Sequence, residues 1–128
     1  MDNQSPKPFE IKARTFRFAC AVVAAFPRSH LDPPSLRIWT QLVSAATSTG
    51  AHLEEAAAGG SRAHFLSITR GGLREMREAN YWLRIISTTQ LTGHQTVPAL
   101  LEESSELVAI LTAIVRNTVA NGGKKTEA

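Results

Sequence analysis

Between Ser61 and Ile86, apolar residues fall at helical spacing. Phe65, Ile68, Gly72, Met76, Ala79, Leu83 and Ile86 recur at steps of three and four. At about 100° per residue these positions share an arc of about 90°, the seam of an amphipathic helix. Arg62, Arg70, Arg74, Arg77 and Arg84 fall in a separate arc of about 120° centred on the far side. Such a helix needs neighbours along its apolar edge and leaves a cationic row facing away from them.

The rest of the chain supplies those neighbours. A first helix is expected from Phe9 to Phe26, with Phe9, Ala13, Phe16, Cys20 and Val23 as its seam and Pro27 as its stop. A second runs from Pro34 to Ala58, capped by Asp32 or Ser35. Its seam of Leu42, Ala45, Thr49, Leu53 and Ala56 is built from small residues that let a partner approach closely. Gly50 lies inside it and reads as a contact point rather than a break. Gly59-Gly60 stops this helix and Ser61 caps the next, a connection so short that the two must fold back antiparallel. Gly71-Gly72 in the third helix reads as close packing of a neighbour in preference to a kink. A fourth helix, capped by Thr96 with Pro98 in its first turn, runs to Asn121-Gly-Gly. Its seam is Leu101, Ser104, Val108, Leu111, Val115 and Thr118, widened by Leu100, Leu107 and Ile114.

No strand is expected. Four helices joined by short loops imply an all-α, antiparallel up-down-up-down four-helix bundle over residues 9–121, with a disordered arm at 1–8 and a flexible tail at 122–128. Leu66, Leu73, Trp82 and Ile85 lie off the third seam, so a lone bundle would leave apolar surface wet that self-association would cover.

Composition narrows the function classes. Hydrophobic residues are 43% of the 128, enough for a core. No apolar run reaches the ~20 residues of a membrane span, and the start carries no signal-peptide pattern. Cys20, the single cysteine, has no intrachain disulfide partner, which suits a reducing cytoplasm; its neighbours suggest a small buried thiol. The net charge of +3 permits polyanion binding without requiring it.

Several segments carry a resemblance. Ser61 and Phe65 match Ser-x-x-x-Phe; Leu73-Arg-Glu-Met-Arg-Glu78 and Tyr81-Trp-Leu83 match Leu-x-Glu-x-x-Glu followed by Tyr-Trp-Leu. Gln41-Leu-Val-Ser-Ala-Ala-Thr-Ser48 matches Gln-[Ile/Leu]-x-x-Ala-x-x-Ser, with Leu53-Glu-Glu55 after it and Phe26-Pro27 closing the first helix. Over residues 14–119 the chain resembles the bacterial four-helix bundle proteins, the 23S ribosomal RNA intervening-sequence protein family. The accessory variability determinant of diversity-generating retroelements shares that fold group. His52, Gly50 and Ala56-Ala-Ala-Gly-Gly depart from the family's usual Asn, Pro or Ala, and Gly-x-Gly-Arg. The resemblance implies a bundle without established catalysis. From the accessory determinants it implies a homopentamer with a basic surface, engaging nucleic acid and, where a retroelement is linked, a reverse transcriptase.

Three uses of the arginine row stand open. Guanidiniums could bind phosphates bidentately, with Tyr81, four residues after Arg77, stacking on a base or a guanidinium. The row could be a solvated face partly neutralised by Glu78, four residues from Arg74. It could also pair with Glu102, Glu103 and Glu106 across a subunit interface. A metal site is less favoured. His52-x-x-Glu55 has the reverse of the order a di-iron bundle uses and occurs once. No nucleophile elbow, phosphate loop or dinucleotide fingerprint is present.

The expectation is therefore a non-catalytic, cytoplasmic, self-assembling interaction or scaffold module without a cofactor. Arg62, Arg70, Arg74, Arg77, Tyr81 and Arg84 are its candidate nucleic-acid contacts. The alternatives are a metal-dependent enzyme on a ferritin-like bundle, or a protein-binding bundle that touches no nucleic acid.

Overall fold

In the computed structural model, residues 8–127 are described, with side chains for 10–122. The expected N-terminal arm lies outside the described residues apart from Pro8. Four helices follow one another: α1 Pro8–Ala25, α2 Pro33–Ala57, α3 Arg62–Thr89 and α4 Val97–Glu127. A 3-10 turn, His94–Thr96, precedes α4. No strand occurs among the described residues. Each helix packs on the next, α2 against α3 most extensively, and α1 closes the ring against α4 along the thinnest contact. Cross-helix neighbours fix the directions. Gly50 lies beside Thr15, and Lys12 pairs with Glu54, so α1 and α2 run antiparallel. Asn80 bonds Ser104, and Arg62 packs beside Gly122, so α3 and α4 do too. The architecture is the up-down bundle that the four seams imply.

The α2–α3 contact is close because glycine lines it. A Cβ on Gly72 would stand 2.8 Å from Leu53 Cδ2, and one on Gly71 would stand 2.8 Å from His52 Cδ2. Thr49 reaches across the same gap and donates to the Gly72 carbonyl at 3.3 Å. The glycine pair therefore packs a neighbour and leaves α3 unbroken. All five α2 seam residues are buried, as are Gly72, Met76, Ala79, Leu83 and Ile86 of α3.

α1 corrects its expected seam. Ile11, Thr15, Phe18 and Val22 are buried, whereas Ala13, Phe16, Cys20 and Val23 face outward. The helix carries two apolar stripes about 100° apart. The inward stripe is the one interrupted by a threonine, whose hydroxyl donates to the Lys12 carbonyl at 3.0 Å and so enters the core satisfied. Cys20 is consequently exposed, not a buried thiol. α4 turns its widening positions inward: Leu100, Leu107 and Ile114 are buried, while Leu101, Val108 and Val115 are half-buried. It also runs through Gly122 and Gly123 to Glu127, beyond the stop expected at Asn121-Gly-Gly. Thr96 does not cap it; its hydroxyl donates back to the Gly93 carbonyl at 2.9 Å.

The other termini follow their chemistry. Gly59 and Gly60 take φ of 113° and 118°, and Ser61 Oγ accepts the His64 N–H at 3.0 Å. Asp32 Oδ1 accepts the Ser35 N–H at 2.9 Å. That backbone N–H, and then the Ser35 hydroxyl, hold the Asp32 carboxylate below its ordinary value of 3.8. A lowered carboxylate favours the folded state above its ordinary pKa, and the contribution is lost as pH falls through the folded-state value. Asp32→Asn keeps an acceptor for the cap. It should leave neutral stability nearly unchanged and make the acid side of the stability curve shallower. Urea midpoints at pH 7, 5 and 3 check this; an unchanged acid slope would show that the cap does not contribute to it.

Candidate nucleic-acid interface

The α3 seam points at α2 and α4, so its far side is solvent. Arg62, Arg70, Arg74, Arg77 and Arg84 are all exposed there, and Tyr81 is 48% exposed. The row divides into three parts. Arg70, Arg74 and Arg77 wall one side of a groove of about 560 Å³ between α3 and α4. Arg62 lies toward the start of the helix, its Cδ beside Gly122. Tyr81 and Arg84 line a separate shallow pocket near its end. There the Arg84 guanidinium sits over the Tyr81 ring at 5.6 Å, and its Nε donates to Asn80 Oδ1 at 3.1 Å. Tyr81 meets Trp82 edge-on at 5.1 Å. Arg84 is thus held by the Tyr81 ring and by the Asn80 amide, which also donates to Ser104 and Ser105 of α4.

The opposite wall of the groove adds what the sequence did not single out. Arg116 projects from α4, and Thr112, Val115 and Val119 complete the lining with Leu73 of α3. Only the α3–α4 register brings Arg116 beside Arg70, because 46 residues separate them in the chain (116 − 70). Val119 is 48% exposed, while Leu73 is buried.

Three of the four carboxylates that could neutralise the row are engaged elsewhere, and the fourth, Glu102, is exposed and pairs with none of the arginines. Glu78 accepts from the Trp82 indole at 3.1 Å rather than pairing with Arg74. Glu103 takes Arg14 of α1 bidentately, at 3.0 and 2.7 Å, and Glu106 takes the same guanidinium at 3.1 Å. The Glu103 hydrogen bond is the main cause raising the Arg14 pKa. This cluster clamps the thin α1–α4 seam. Among the described residues, the ion pairs are these and Lys12–Glu54; none involves Arg70, Arg74, Arg77 or Arg116. Arginines at these spacings repel one another on the helix surface, so the row raises the local potential without stabilising α3.

His52 and Glu55 are not brought into a metal cluster. The His52 ring lies on Gly71 with Nδ1 2.7 Å from the Ser48 carbonyl, and Glu55 is exposed. Among the described residues, no group of three His, Cys, Asp or Glu is placed to hold a metal. No helix among them is long and apolar enough to cross a membrane.

A second groove lies on the other side of the bundle. Phe16, Ala19, Cys20 and Val23 of α1 and Gly50 and Ala51 of α2 line about 530 Å³, with Arg28 and Glu54 also at its edge. Phe16 is 61% exposed and Val23 44%. Among the described residues, the exposed large apolar side chains are Phe16 and Val23 on α1, Leu36 on α2, Tyr81 on α3 and Val119 on α4, and none is at the α3 positions the sequence suggested. Leu73 is buried, and Leu66, Trp82 and Ile85 are half-buried.

No protein-family model matches the chain, and no curated protein matches it. Among solved structures, it is similar to a protein of unknown function from the S23 ribosomal protein family of Bacteroides thetaiotaomicron. The two share 24% sequence identity at a TM-score of 0.70, over 82% of this chain and 97% of that one. That likeness is one of fold, and the four-helix fold it shares is the one implied by the resemblance over residues 14–119.

Proposed function

We propose that this chain is a non-catalytic, self-assembling bundle of the cytoplasm that binds nucleic acid through the arginine face of α3, extended by Arg116 of α4. One observation carries the reading. Four guanidiniums border one groove without a carboxylate partner among the described residues, while nearby Glu78, Glu103 and Glu106 are committed to other bonds. Unpaired arginines bind phosphate oxygens bidentately and concentrate polyanions around them. Four of the five buried polar side chains among the described residues are bonded within the fold: Thr15, Thr49 and Ser104 each donate to a backbone carbonyl, and Ser35 accepts the Thr92 N–H, while the Thr69 hydroxyl has no partner. Retention of the folded protein on immobilised RNA and on heparin, eluting at raised salt, tests the reading; flow-through of both at low salt rejects it.

In this reading, self-assembly uses the α1–α2 groove. Its exposed Phe16 and Val23 stand over a floor of alanine and glycine that a second copy can approach closely. A ring of five is what the family resemblance implies. Phe16→Glu combined with Val23→Glu should reduce the mass measured by light scattering to that of one chain and leave the helical circular dichroism intact. An oligomer of unchanged mass would mean that another face assembles it.

A further inference from the structure

The polyanion reading, on which this inference rests, explains the arginines of the α3–α4 groove but not its apolar lining. Leu73, Val115 and Val119 line it with the arginines; Leu73 is buried, Val115 half-buried, and Val119 about half exposed. A groove with charged edges and an apolar base suits a ligand that has both an anionic edge and an apolar face. An unpaired nucleotide is such a ligand. Its phosphate takes a guanidinium, and its base offers a face to apolar or aromatic side chains. A duplex hides the faces of its bases and presents phosphates and groove edges alone.

Shape favours the same ligand. Arg70, Arg74 and Arg77 rise in steps of about 4.5–6 Å along α3, comparable to the step of an extended nucleotide. The groove follows the bundle axis, so a flexible strand can lie along it. The convex bundle and a convex duplex would touch over a short patch. We infer that the α3–α4 groove binds single-stranded nucleic acid. Successive phosphates meet Arg70, Arg74, Arg77 and Arg116, and at least one base face rests on Val119.

Fluorescence anisotropy with the full chain tests this. The probes are a labelled 20-nucleotide single strand, as RNA and as DNA, and the corresponding duplexes; heparin retention is measured in parallel. The wild type should bind either single strand at least tenfold more tightly than its duplex. The slope of log K against log salt should be about −0.7 for each phosphate neutralised, so roughly −2 to −3. Val119→Asn, a change at an exposed position, should weaken single-strand binding several-fold and leave heparin retention unchanged. Arg116→Gln should weaken all probes and make the slope shallower by about 0.7. Equal affinity for strand and duplex, with no effect of Val119→Asn, would overturn the inference while leaving the polyanion reading in place. Absence of wild-type binding to every probe and to heparin would overturn both. Binding of an acidic amphipathic peptide with none of these nucleic acids would assign the groove to a protein partner and overturn it too.

Discussion

Reversing Arg70, Arg74 and Arg77 together to Glu should abolish retention on RNA and heparin and lower affinity for a single strand at least a hundredfold at 0.1 M salt. Each arginine lost removes one phosphate contact and its share of counterion release, and each glutamate adds repulsion in its place. The three arginines are exposed and take part in no ion pair among the described residues, so the bundle should remain folded. The milder change to Gln separates a binding face from a structural one. Arg70 and Arg74 are four apart, and Arg74 and Arg77 three apart, so each pair costs α3 about 0.2–0.5 kcal/mol through repulsion. The triple Gln variant should therefore unfold at slightly higher urea while binding less RNA. A variant that loses stability and keeps its affinity would show that the row serves the fold.

Trp39→Ala should cost about 3–5 kcal/mol, the range for truncating a large buried aromatic, against a total of roughly 5–15 kcal/mol for a domain. Trp39 is fully buried at the end of the bundle where two loops meet. Its ring stands edge-on to Phe26 at 6.1 Å, and its indole N–H donates to the Thr92 carbonyl at 2.7 Å. Gly93, at a φ of 87°, presses against the same ring; a Cβ there would lie 3.0 Å from Cζ2. The side chain thus anchors the α3–α4 connection to α2, and through it the start of α4. Trp39→Phe keeps most of the ring volume and removes the donor, leaving the Thr92 carbonyl unpaired; that should cost about 1–3 kcal/mol. Urea unfolding followed by circular dichroism measures both. A loss below about 1 kcal/mol for the alanine variant would show that this end of the bundle is held by other contacts.

Helix number and order were legible because each segment carries apolar residues at steps of three and four between strong stops. α2 is the most legible: its five seam residues are small or branched, lie on one stripe, and are all buried. α1 is the exception, because its outward stripe, Phe16, Cys20 and Val23, looks more apolar than the inward one containing Thr15. Periodicity counts side chains without knowing which stripe faces a neighbour. Asn121-Gly-Gly reads as the end of α4 because glycine is a frequent stop, yet the helix continues through it.

The candidate site was legible only as far as one helix reaches. Arc positions on α3 place all five arginines on one exposed side, and the structure keeps them there. Arg116 and Val119 depend on how α4 registers against α3, through contacts such as Asn80 with Ser104. Nothing within either segment states that register. Nor could spacing show that Glu103 and Glu106 would be claimed by Arg14, from the other end of the chain.

The most direct measurement of the central claim is a backbone amide NMR titration of the wild-type chain with an unlabelled single strand. The account predicts shift changes concentrated at 70–77 on α3 and 112–119 on α4, with the α1–α2 groove around Phe16 and Gly50 unmoved. Changes confined to that second groove, or to neither, would contradict it.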